Sequence, residues 1–85
     1  MVTNKSIYNV QTKNGKVRQI GFTEYYDATD YGNGKYIAAV NLTENEVYAY
    51  MDMRYLKYVF KTICENYIKQ YYGDNLLKFE VVEDE

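Results

Sequence analysis

The sequence predicts an α+β fold, a two-layer ββββαβ domain in which a mostly antiparallel sheet carries one long helix, at about residues 53–72, packed on one face. Three observations lead there. One stretch keeps a helical period, two hairpins are marked by alternation and turn residues, and a last alternating run follows a glycine stop.

The helix is the best marked element. Leu56, Val59, Phe60, Ile63, Tyr67 and Tyr71 recur at spacings of three and four, which gathers them into one stripe when each residue turns about 100°. Asp52 stands where an N-cap would accept from the free N–H groups of the first turn, and Gly73 where a left-handed C′ residue would end the helix. A helix of this length spans roughly 30 Å and needs a flat surface to lie on.

The strands supply that surface. Lys5 to Thr12 alternates weakly, and Asn14-Gly15 suits a two-residue type I′ turn leading into Val17 to Phe22. That register sets Ile7 opposite Phe22 and Asn9 opposite Ile20 on one face, with Thr12 opposite Val17 and Val10 opposite Gln19 on the other. Neither face is cleanly apolar, so this hairpin is expected at an edge. Lys35 to Leu42 and Val47 to Met51 form the better hairpin, joined by Thr43-Glu44-Asn45-Glu46. Pairing Leu42 with Val47 puts Tyr36, Ala38, Val40, Leu42, Val47, Ala49 and Met51 on one face, the face expected under the helix. After Gly73, Leu77, Phe79 and Val81 alternate with Lys78 and Glu80 and predict a strand returning to the sheet.

The loop from Thr23 to Gly34 is rich in Asp, Gly and Tyr, and its acids raise the question of calcium. An EF-hand count from Asp27 puts Tyr31 at position five and Ala38 at position twelve, where oxygen ligands are required, so no metal site is expected.

Composition bounds the function. Eighty-five residues are expected to make one small globular domain, 1–85, and 47% hydrophobic against 26% charged residues describes a chain that folds. No apolar run has the length of a membrane span and the N-terminus lacks a secretory pattern, so a cytoplasmic protein without a membrane role is expected. Histidine is absent, which removes histidine-based triads and imidazole metal sites. Cys64 falls beside the apolar stripe, as a core-edge residue rather than a nucleophile. No glycine-rich phosphate loop occurs, and the carboxylate pairs Glu44 with Glu46 and Asp27 with Asp30 lack a cleft that would separate their pKa values. The expectation is a non-enzymatic protein with no catalytic, cofactor-binding or metal-binding residues.

Two binding surfaces remain. Net charge is only −2, but it is blocked: residues 21–53 hold six acids against Lys35, and residues 54–69 hold four cations against Glu65. The acidic block combines Glu24, Asp27, Asp30, Glu44 and Glu46 with Tyr25, Tyr26, Tyr31, Tyr48 and Tyr50, drawn from a chain with twelve tyrosines and no tryptophan. Acids steer encounter with a basic groove and tyrosine rings supply contact area at low entropic cost. This reading gives a protein-interaction module that binds a protein partner and regulates or inhibits it, with nucleic-acid-handling enzymes as the class of target. Small acidic inhibitors of this kind occur among phage and mobile-element proteins, including anti-restriction and anti-CRISPR proteins; the analogy is one of class, and no family motif is present. The alternative is a small nucleic-acid-binding module using Arg54, Lys57, Tyr58, Lys61 and Lys69 on the outer face of the helix. A homodimer through a strand edge or the spare sheet face is compatible with both.

Overall fold

A computed structural model describes residues 2–27, 34–54 and 56–84, with the backbone but not the side chain of Asp27. The chain forms β1 (Val2–Thr12), β2 (Val17–Asp27), β3 (Gly34–Asn41), β4 (Glu46–Asp52), α1 (Phe60–Tyr72), a single 3-10 turn (Gly73–Asn75) and β5 (Leu76–Asp84). The strands make one antiparallel sheet in the order β4-β3-β2-β1-β5, with α1 on one face, so the expected α+β architecture holds.

The first hairpin is central, not peripheral, and a single turn residue explains why. Gly15 N–H donates to the Thr12 carbonyl at 2.9 Å and Thr12 N–H to the Lys16 carbonyl at 3.0 Å, with Gly15 at φ +86°. The loop therefore holds three residues, ending on a left-handed glycine, where the type I′ reading allowed two. Register moves by one: Tyr8 pairs with Ile20 and Val10 with Arg18, while Ile7 meets Gly21. Since side chains alternate with period two, the slip collects Tyr8, Val10, Ile20 and Phe22 on one face, all buried. A strand pair whose inner face is apolar at its middle, with Ser6, Thr12, Arg18 and Glu24 toward its ends, belongs at the centre of a sheet.

That row decides which side the helix covers. β3 joins β2 with Phe22 opposite Ala39 and Glu24 opposite Ile37, so Ile37, Ala39 and Asn41 extend the buried set. The helix covers this face, the reverse of the one expected from the β3–β4 hairpin alone. Tyr36, Ala38, Val40, Leu42 and Val47 do share a face, but it is the outer one. In β4 a bulge at Tyr48, between the pairs Val40–Val47 and Ala39–Ala49, returns Ala49 and Met51 to the helix side.

Helix α1 begins at Phe60, seven residues later than expected. The Asp52 carboxylate accepts from the Arg54 backbone N–H at 3.1 Å and clasps its guanidinium at 2.7–3.0 Å, a local turn that competes with helix capping. Met53 N–H continues the sheet ladder to the Lys35 carbonyl at 2.7 Å and its side chain is buried. Val59, in extended conformation at φ −100°, ψ 123°, precedes the first turn without a side-chain cap. Leu56, Val59 and Tyr71, expected on the buried stripe, are exposed. The stop is where it was expected: Gly73 at φ +52° returns its N–H to the Lys69 carbonyl.

The core lies between layers. Cys64 and Ile68 of α1, with Met53, pack on Tyr8, Val10, Ile20, Phe22, Ile37 and Ala39. Edge-to-face ring pairs at 5.9 Å run from Tyr8 to Phe22 and from Phe22 to Tyr67. β5 closes the far edge against β1, with Phe79 half-buried; bulges at Leu77 and Val82 break the expected alternation and turn Leu77 out.

Candidate interaction surface

Among the described residues Glu24, Glu44 and Glu46 do not share one surface. Glu24, at 3% exposure, lies on the helix side of β2, where its carboxylate accepts from Thr3 Oγ1, from Asn4 Nδ2 at 2.8 Å and from the Tyr58 hydroxyl, with Lys35 Nζ at 3.7 Å. Burial alone would push its carboxyl up; the hydrogen bonds from Thr3, Tyr58 and Asn4, with Lys35 beside them, outweigh burial and hold it below its ordinary value. Glu44 is claimed by Lys16 at 2.6 Å and Arg18 at 3.2 Å, and hydrogen bonding from Lys16 chiefly lowers its pKa. Glu46 opposes Asn41 and so falls on the helix side, exposed. Asp27 is described in its backbone alone, and Asp30 and Tyr31 lie outside the described residues.

The tyrosines divide between the two faces. Tyr25 and Tyr36 are cross-strand neighbours, stacked at 5.8 Å on the outer face. Tyr50 stands on that face too, 66% exposed. Tyr26 is exposed beside Lys35, whose Nζ lies 5.5 Å from its ring centroid. Tyr48 turns inward. It stacks on Tyr71 at 4.1 Å, accepts from Asn41 Nδ2 at 2.9 Å and shares a hydrogen bond with Tyr72 at 3.0 Å.

On the helix, Lys61 and Lys69 face solvent, with Lys57 ahead of them, but the Tyr58 ring expected among the cations does not, and neither does that of Tyr72. Tyr58 precedes the helix and points its hydroxyl inward to Glu24; Tyr72 is half-buried against Tyr48 and Arg18. Arg54 is held by Asp52. Among the described residues these two rings thus do not stand between the cations on the solvent side.

For chemistry, Cys64 is fully buried, and burial pushes its thiol up to about 12, so it is protonated and inaccessible at neutral pH. Among the described residues no group of three or more His, Cys, Asp or Glu is gathered to hold a metal, and no helix is long and apolar enough to cross a membrane.

The feature that sequence reading missed is the outer face of the sheet, which no element covers among the described residues. Reading across the strands, Val47, Val40, Gly21 and Ile7 form one apolar row. Leu42 lies over Gly21, so close that a Cβ there would meet its Cδ1 at 3.1 Å. A shallow cavity of about 150 Å³ opens in this row between Ile7, Gly21, Val40 and Leu42. Tyr50 and Ala38 flank it on one side and Leu42, Gln19 and Asn9 on the other, with Val17 and Gln11 one row beyond, by strand alternation. Charge on this face lies at its two ends: on the β1–β5 side Lys5 opposes Thr23, Lys78 opposes Gln11, Glu80 opposes Asn9 and Glu83 opposes Ile7, and at the β4 edge Asp52, paired with Arg54, opposes Tyr36. Comparison with protein-family models, curated proteins and solved structures finds no match for this chain.

Proposed function

We propose that the protein is a non-enzymatic protein-interaction module that pairs with a second copy of itself through the outer face of its sheet. The observation that carries this reading is the uncovered row Val47–Val40–Gly21–Ile7 with Leu42 over it. Five strands about 4.8 Å apart and some eight residues of strand length give a footprint of roughly 500 Å² per copy, or 1,000 Å² in all, the lower bound for a specific interface. Such a pair exchanges between monomer and dimer.

Charge favours a second copy over a polyanion. Among the described residues the face holds Lys5 and Lys78 against Glu80, Glu83 and the Arg54-paired Asp52, around an apolar centre, so it has no positive field for nucleic acid. A two-fold axis across the strands, through the Ile7–Gly21–Val40 row, exchanges the row of Lys5 with the row of Asn9 and Glu80. Lys5 of one copy then lies beside Glu80 of the other and the apolar rows bury each other, while Glu83, at the β5 edge of the axis row, meets its own mate at the rim, where solvent screens the two charges.

Sedimentation equilibrium over a wide protein concentration range tests this. The wild type is expected to dimerise, and Val40→Lys to remain monomeric with an unchanged circular dichroism spectrum. Lys5→Glu weakens the dimer and adding Glu80→Lys restores it. A wild type monomeric throughout, or a dimer indifferent to Val40→Lys, refutes the reading.

A further inference from the structure

The two edges of the sheet are unlike. β5 is bulged at Leu77 and Val82 and carries Lys78, Glu80, Glu83 and Asp84, features that discourage a further strand. β4 has no charge from Val47 to Met51. Its backbone polarity follows from the ladder: Met53 N–H bonds to Lys35, and Met51 and Ala49 oppose Ile37 and Ala39 in the same phase. In an antiparallel pair alternate residues bond to the neighbour, so Tyr50 and Asp52 turn their N–H and C=O groups outward, away from β3. Along this edge, on the helix side, runs a cavity of about 290 Å³ lined by Met51, Met53, Ile63 and Tyr67, with the amides of Asn66 and Gln70 at its rim.

We infer that the β4 edge and this groove accept an extended segment of a partner protein, added to the sheet as a sixth, antiparallel strand. Its backbone pairs with Tyr50 and Asp52. The residue opposite Met51 has its side chain on the helix side, so it drops into the groove, where the flexible thioethers and the Tyr67 ring suit a leucine or methionine. Its neighbours lie on the other face beside the Tyr50 ring. The segment's C-terminal end runs toward Glu46, which is exposed and has no ion pair among the described residues, so a lysine or arginine belongs there. The recognised chemistry is thus an extended chain with one apolar anchor followed by a cation. This edge adjoins the outer face at Tyr50, but strand addition there does not depend on pairing through that face.

The test is a proton–nitrogen NMR titration with a capped synthetic peptide that alternates threonine and valine, has a central leucine and ends in two lysines. Saturable shifts are expected at Ala49 to Met53 and at Ile63 and Tyr67, with slowed amide exchange at Tyr50 and Asp52. Replacing the peptide's leucine by aspartate lowers affinity by about tenfold or more, the value of one buried aliphatic side chain. Tyr50→Pro abolishes binding, because it removes an outward N–H without breaking a bond to β3, whereas Tyr50→Ala changes affinity only a few-fold. Shifts confined to Ile7, Gly21 and Val40 or to the helix lysines overturn the inference, as do undiminished binding by Tyr50→Pro and no saturation at millimolar peptide. Shifts at β4 that grow with protein concentration alone replace the peptide by a second copy and overturn it too.

Discussion

Removing one hydroxyl, by Tyr58→Phe, tests how the segment between β4 and α1 is held. Tyr58 donates to Glu24, whose carboxylate is buried on the sheet and also receives Thr3 and Asn4. The substitution keeps the ring beneath the Lys35 ammonium, 5.0 Å from its centroid, and deletes only the O–H. A hydrogen bond to a charged group contributes about 1.5–3 kcal/mol, and Glu24 at 3% exposure has no water to replace it, so a loss of about 2 kcal/mol is expected. For an 85-residue chain that lowers Tm by roughly 8–16 °C. The pH dependence has a definite sign. Glu24 is held below its ordinary value in the fold, so the unfolded chain binds more protons between the two pKa values. Its contribution is complete above the unfolded value of about 4.3 and is lost as pH falls through the folded value. Tyr58→Phe removes one of the lowering donors, which moves the folded pKa back up and shrinks the acid-sensitive part of the stability. Urea unfolding at neutral pH and at a series of acid pH values measures both effects, and carboxyl carbon NMR follows Glu24 itself. The double variant with Glu24→Gln supplies the coupling, expected at about 1 kcal/mol or more. A Tyr58→Phe stability within about 0.5 kcal/mol of wild type, the range of an ordinary surface change, refutes the buried latch.

Three further outcomes follow from the same packing. Native Cys64 is expected to resist a disulfide reagent at pH 8 and to react at once in denaturant, since its thiol is buried and pushed up to about 12; fast native reaction would place it at the surface. Ile68→Ala, which empties a fully buried position facing the sheet, costs about 2–5 kcal/mol by urea unfolding. Gly15→Ala destabilises by about 1 kcal/mol although nothing lies within 4 Å of the added Cβ, because φ +86° is strained for any L side chain; an unchanged urea midpoint would refute a positive φ at this position.

The architecture was legible because its strongest signals are local. Gly73 ends the helix for reasons held in its own backbone, and the period of Phe60, Ile63, Tyr67 and Tyr71 lies within one element. The register errors were of a different kind. Asn14-Gly15 fits both a two-residue and a three-residue hairpin loop, and the choice between them moves every side chain of β1 to the other face relative to β2. The helix start was misread because Leu56 and Val59 continue the period while Asp52 is engaged by Arg54 and Tyr58 by Glu24. Those partners lie in a turn and in a strand about 34 residues away, and periodicity sees neither.

The uncovered outer face was hidden by the same dependence. Tyr36, Ala38, Val40, Leu42 and Val47 were recognised as one face, and an apolar face in a small domain is most simply assigned to the core. The sheet has two apolar faces, and one 13-residue helix covers only one of them. Tyr8, Val10, Ile20, Phe22 and Ile37 bury more apolar volume than the row built on Gly21 and Ala38, so the helix goes to the former and the latter is left outside. Gly21 and Ala38 are small, which keeps the outer face flat enough for another sheet to approach. The acids, by contrast, were grouped by nearness in sequence. Adjacent strand residues point to opposite faces, and a strand that crosses the sheet puts Glu24 inside and Tyr25 outside with one peptide between them.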